Sequence, residues 1–261
     1  SYVSYLVNTK YVAAVNDNSS IVCVITTQDL SAQVEREKKV VIASDPVWVF
    51  FSLVNHFGKK KIFEKTIIDP SAKVSPAAFI DEYGVKIGKN SVVESGASVL
   101  RGVIAGDGVV IRSGARVGVN GFEHKKTTHG FLTVEHDGLC VIENDCEIGP
   151  NNCIIKGFSY RNTVIGEDSK LDALVHYAHG VQCGKRCLIA ASTMIAGHVT
   201  IGNDVWIGPG SRIANRLTIG SNAFVTIGSV VARNVQEGEK VTGNFAVPHH
   251  LFMRNLAKST R

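Results

Sequence analysis

A six-residue step runs through most of this chain and restricts the folds open to it. Starting at Ile165, the step meets Leu171, Tyr177, Cys183, Ile189, Ile195, Ile201, Ile207, Ile213, Ile219, Val225 and Val231. The next residue is often Gly or Ala, as in Ile201-Gly202 and Ile207-Gly208. Two positions earlier sits a small or β-branched residue such as Thr163, Ser169, Val181 or Cys187. Upstream, Ile87, Val93, Val99, Ala105, Ile111 and Val117 keep the step, and Ile68, Val74 and Ile80 precede them with a one-residue slip before Ile87. Ile142, Ile148 and Ile154 form a further block. A period of six is neither a helix period nor plain strand alternation. It fits a short strand and a tight turn, repeated. Three such units close a triangular coil of about 18 residues, and coils stack at roughly the 4.8 Å strand spacing. The aliphatic residue points inward, and the Gly or Ala after it permits the corner.

The repeat covers 67–235 and breaks twice, at a loop insertion spanning 118–141 and at a shorter irregular stretch, 155–164. Insertions on a solenoid tend to carry binding residues. Residues 1–66 lack the repeat. Ile21–Ile25 and Val40–Ile42 read as buried strands, the segment from Asp29 to Glu35 as a short helix, and 45–57 as another, with Asp45 its N-cap and Pro46 in its first turn. This is a small α/β domain. The last part, 236–261, reads as a cap and one short amphipathic helix with Arg254, Lys258 and Arg261 on its polar side. The expected fold class is therefore mainly β: a parallel β-helix between a small N-terminal α/β domain and a short C-terminal helix.

With 261 residues, 44% of them hydrophobic, the chain can bury a core. Its net charge of +5 suits a phosphate-bearing small molecule or an acidic protein, but the Lys and Arg residues are scattered rather than massed into a nucleic-acid stripe. Six cysteines form no C-x-x-C pair, and no third ligand joins His176 and His179 at metal-binding spacing. Reduced, packed thiols, no metal, no membrane span and a cytoplasmic location are expected.

The segment Asp172-Ala-Leu-Val-His176-Tyr-Ala-His179 holds the chemistry. A histidine is the usual general base near neutral pH. Stacking in steps of about 18 places His179 beneath Gly197, whose N–H suits an oxyanion. Asp172, across one corner, is a carboxylate for steadying the imidazolium. His176 and His198 remain open between substrate contact, subunit packing and plain surface. Arg216, one coil beyond His198, is placed to meet a phosphate.

The segment from Leu171 to Lys185 resembles the catalytic stretch of the LpxD-like hexapeptide-repeat N-acyltransferases, which act on nucleotide sugars. The resemblance implies a left-handed coil, His179 as general base, Asp172 as its acidic partner and Gly197 as the oxyanion glycine. The motif from Ser4 to Tyr11 is similar to that family's nucleobase-binding S-F-L-x-N-P-K-Y, which implies base stacking by Tyr5 and Tyr11 and edge reading by Asn8. By the same resemblance Asn120 and Phe122 touch the sugar, and Arg233 is near the donor's phosphopantetheine. The sequence departs from the family at Ala173 and Gly180, where asparagine is usual, and across 150–157.

Together these readings predict a homotrimeric N-acyltransferase that moves an acyl group from coenzyme A to the amine of a nucleotide-linked (dTDP or UDP) amino sugar for surface polysaccharide. The short C-terminal helix and the altered 150–157 segment favour coenzyme A. The alternative is UDP-3-O-acyl-glucosamine N-acylation in lipid A synthesis, with acyl carrier protein as donor. A non-catalytic β-helix, or a zinc-dependent hydratase of the same fold, is the reading from a different class.

Overall fold

The computed structural model describes residues 1–158, 161–243 and 246–259, apart from the side chains of Leu256 and Ser259; Arg261 lies outside the described residues. Two compact units emerge. One combines 1–62 with 120–137, and the other combines 63–119 with 138–261.

The larger unit is the β-helix. Its two- to four-residue strands stack into three parallel sheets of eight, nine and eight strands. One register runs Ile165↔Cys183↔Ile201↔Ile219, a second Leu171↔Ile189↔Ile207↔Val225, and a third Tyr177↔Ile195↔Ile213↔Val231. Every step is one coil, and the stepped side chains face inward, each nearly fully buried. The slip expected before Ile87 is present, since Ile68 pairs with Ile87 rather than with the residue before it. The buried Tyr177 satisfies its hydroxyl by donating to Val164 O at 2.8 Å.

The corners are not made as the sequence suggested. The left-handed residue stands three positions after the inward aliphatic, as at Asp168, Leu174, Gly180, Arg186, Ser192, His198, Asp204, Gly210, Arg216 and Asn222, with φ between 55° and 70°. Mixed residue types there, including a bulky Leu174, show stacking overriding the local penalty of about 1–2 kcal/mol for an L-residue. The glycine directly after the aliphatic has another task. A Cβ on Gly202 would stand 2.5 Å from Ser221 N, and one on Gly208 would stand 2.7 Å from Ile227 N. Those glycines admit the backbone of the next coil.

The smaller unit holds a parallel sheet ordered β1 (Tyr2–Leu6), β2 (Ile21–Thr26), β3 (Lys39–Ile42). Helices α1 (Val12–Asn16), α2 (Gln28–Ser31) and α3 (Pro46–Lys59) connect and follow these strands. β3 is not the buried strand expected; it is an edge strand with Ile42 53% exposed. Asp45 caps α3 by accepting from Trp48 N at 2.9 Å, and its other oxygen accepts from Thr128 N and Thr128 Oγ1. These bonds hold its carboxyl below the usual carboxylate range. The insertion folds into a hairpin, His124–Thr127 against Gly130–Thr133. Asn55 secures its far side through Thr133 O and Glu135 N. In the larger unit, α4 (His249–Ser259) ends the description. Among the described residues no helix is long and apolar enough to cross a membrane.

Candidate active site

One corner of the β-helix gathers His179, Gly197 and His198. His179 follows the strand His176–Tyr177, and His198 follows Met194–Ile195 one coil later. The backbone joins them, because His198 N donates to His179 O at 2.9 Å. Their rings meet edge to face with centroids 4.9 Å apart.

Two glycines make that meeting possible. A Cβ on Gly197 would fall 2.7 Å from His179 Nε2, and one on Gly180 would fall 2.9 Å from His198 Nδ1. Each imidazole occupies the space that a side chain on the other's coil would need. Gly180 has φ +64°, so it also serves the turn. The departure from asparagine at Gly180 thus makes room for His198.

Further along the same corner, Arg216 N donates to Gly197 O at 3.0 Å and its side chain is exposed. Arg233, also exposed, follows the strand Val230–Val231 two coils beyond Gly197. The corner therefore presents histidines first and arginines beyond them, an order suited to a base beside a bond being broken and cations beside a phosphate.

Other predicted residues take other positions. Asp172 stands at the preceding corner, exposed, with Oδ1 accepting from Ala173 N at 2.7 Å. The strand His176–Tyr177 separates it from His179 along the chain. His176 points outward from the flat sheet, between Cys153 and Met194 in register. Burial there holds its pKa below the ordinary histidine value.

In the smaller unit, Tyr5 packs on Phe50 and Phe51 at centroid distances of 5.0 and 5.5 Å. Asn8 Oδ1 accepts from Lys10 N at 3.0 Å. Tyr11 is 47% exposed beneath the Lys10 ammonium. Asn120 is exposed, and Phe122 is 91% exposed with its ring against His124.

Three residues at the histidine corner escaped the sequence reading. The excursion between Ile155 and Thr163 brings the buried Phe158 ring to 4.8 Å from His179 and 5.8 Å from His198. Arg161 Nη2 donates to Thr200 Oγ1 at 2.7 Å. The buried Thr163 hydroxyl donates to Ile155 O at 2.7 Å and accepts from Gly180 N at 2.9 Å. The only signal in the sequence was the broken register at 155–164.

Two of the buried cysteines are poor nucleophiles. Burial pushes Cys140 up to about 12 and Cys146 up to about 11. Among the described residues no three His, Cys, Asp or Glu side chains cluster as metal ligands.

Curated relatives align over part of the chain. A probable UDP-3-O-acylglucosamine N-acyltransferase of Arabidopsis thaliana, described as mitochondrial, is 35% identical over 155 residues, 59% of this chain and 51% of that protein. A UDP-3-O-acylglucosamine N-acyltransferase of Methylorubrum populi is 31% identical over 167 residues, 64% of this chain and 47% of that one. The chain thus spans about half the length, or less, of such relatives. Among solved structures, the UDP-N-acetylglucosamine acyltransferase from Campylobacter jejuni matches with TM-score 0.59 at 23% identity, over 70% of this chain and 72% of that one. The Francisella novicida enzyme of the same name matches with TM-score 0.58 at 19% identity, over 73% and 71%. These matches fix the fold as the left-handed form of the parallel β-helix. No family model matches the chain.

Proposed function

Taking this chain as an LpxD-like member of the hexapeptide-repeat acyltransferases, we propose that it forms an amide, moving an acyl group from a thioester to the amine of a nucleotide-linked amino sugar. The observation that carries this reading is the His179 ring seated against Gly197 one coil away. It puts a proton acceptor and a backbone N–H on the same few ångströms of surface.

In this mechanism the sugar amine attacks the thioester carbon. His179 takes the proton that the nitrogen sheds, and Gly197 N–H stabilises the oxyanion. The C–N bond forms, the C–S bond breaks, and the departing sulfur takes a proton to leave as thiol. Asp172, a corner away, acts on the imidazolium through its field. Tyr5, Asn8 and Tyr11 hold the base, Asn120 and Phe122 touch the sugar, His198 and His176 contact substrate, and Arg216 and Arg233 meet donor phosphate. The working form is a homotrimer.

The relatives' names favour a UDP-3-O-acylated glucosamine as acceptor over a thymidine-linked sugar, and we pair that acceptor with acyl carrier protein as donor, against coenzyme A as the other donor. The test is thiol release with UDP-3-O-acylglucosamine and thymidine-linked amino sugars, each offered acyl carrier protein thioesters and acyl-coenzyme A. Release above background with the uridine sugar and carrier protein is expected. His179→Ala is expected to lower turnover by roughly 10²–10⁴-fold, the usual worth of a general base. Unchanged turnover in that variant would remove His179 from the mechanism. Stoichiometric zinc in the purified protein would instead revive the hydratase reading.

A further inference from the structure

We propose that Phe158 is a positioning residue that fixes the mutual orientation of His179 and His198, and that Arg161 is the clamp that seats it. The proposal rests on the acyl-transfer reading of this corner for its kinetic consequence, though not for its structural one.

The excursion that carries Phe158 is tightly stitched. Gly157 N donates to Leu139 O at 3.0 Å, and Gly157 O accepts from Gly138 N at 2.9 Å. A Cβ on Gly157 would stand 2.6 Å from Asn162 Cα, so only glycine lets the segment turn back on itself so closely. Asn162 Oδ1 accepts from Leu139 N at 2.9 Å at the base. Thr163 ties that base to the histidine corner through Gly180 N. From the same excursion Arg161 reaches across to Thr200 Oγ1 and Val199 O, the two residues directly after His198. One segment is therefore fastened to the coil after His179 and to the coil after His198.

The same excursion brings the buried Phe158 ring to the histidine corner. Phe158 meets both imidazoles near edge-on, at interplanar angles of 69° and 65°, and they meet each other at 75°. Three rings in mutual edge contact restrict one another, since turning one drives it into the other two. A base must be held in a productive pose, and small displacements there are costly in rate. Phe158 touches no reacting atom in this scheme; it acts through the histidines. It also covers ring surface that water would otherwise reach.

The test uses the full chain and two readouts. The first is carbethoxylation by diethyl pyrocarbonate, followed peptide by peptide, with the exposed His249 as internal reference. In Phe158→Ala, His179 and His198 should react about fivefold faster while His249 is unchanged. Arg161→Met should move the same way, and Arg161→Lys should fall between. The second readout is kinetic: kcat for the nucleotide sugar should fall about tenfold with KM changing by less than about twofold. Phe158→Leu keeps bulk without the ring and carries the test if the alanine variant fails to fold. Unchanged modification rates in the folded variants overturn the clamp whatever the reaction proves to be. Faster modification with unchanged kcat confines Phe158 to shielding and overturns its positioning role. Failure of the acyl-transfer reading would show separately, as no thiol release by the unaltered chain with any of the sugar and thioester pairs.

Discussion

The β-helix repeats one corner design down three edges, and two of those edges make the useful contrast. At the histidine corner the left-handed positions are Gly180, His198 and Arg216; at the corner one sheet onward they are Asp168, Arg186, Asp204 and Asn222. The backbone is equivalent. At the second corner Arg186 makes a bidentate pair with Asp204 at 2.7 Å, and Lys185 pairs with Glu167 at 2.6 Å, all in solvent. At the first, rings interlock, glycines yield space and an excursion packs on top. The repeat thus supplies equivalent slots, and side chains from different coils decide which slot becomes a site.

Gly197→Ala should break the contrast most severely. Its methyl would displace the His179 ring, and kcat/KM for acyl transfer should drop by about 10²-fold. The paired control is Gly210→Ala at the third edge, where nothing stands within 4 Å but φ is +69°. That change should spare activity and cost about 1–2 kcal/mol in a denaturant melt, as expected for an L-residue in this region.

Thr163→Val comes next. It leaves Gly180 N and Ile155 O without their buried partner, so about 1–3 kcal/mol of stability should go, read as a lower thermal midpoint. Activity should fall with it, since the bond sets the histidine corner.

The solvated corner should respond least. Arg186 holds the Asp204 carboxyl below its ordinary value. A folded-state value below the unfolded one stabilises at pH above the usual carboxylate range and is lost as pH falls through the folded value. Because the pair is exposed, Asp204→Asn should shift the neutral-pH melting midpoint by no more than about 2 °C, and less in high salt. Iodoacetamide at pH 8 should leave turnover intact, because Cys140 and Cys146 are pushed up to about 12 and about 11. Loss of activity tracking modification of either would bring a thiol into the mechanism.

Much of the fold was legible because the repeat is local. Ile165, Leu171 and Tyr177 declare inward positions by their spacing, and the slip before Ile87 is visible in the same count. Stacking Gly197 over His179 followed from that arithmetic, and the rings are found there. His176 shows the limit. It is only three residues from His179, yet it stands on the flat sheet, between Cys153 and Met194 in register. Residue spacing along a strand does not say where the corner begins. Val40–Ile42 reads as buried because it is apolar, but it became an exposed edge strand.

By itself, then, the sequence determined the coil, its register and the histidine–glycine stack, because each depends on a period that any reader of the chain can count. The tertiary structure decided what closes over that stack. Phe158 and Arg161 sit where the period fails and Thr163 where it resumes, and their partners at the histidine corner, from His179 to Thr200, are 17 to 40 residues away. Where an irregular segment folds back is set by which gaps its side chains can fill, and gaps exist only once the coils have stacked.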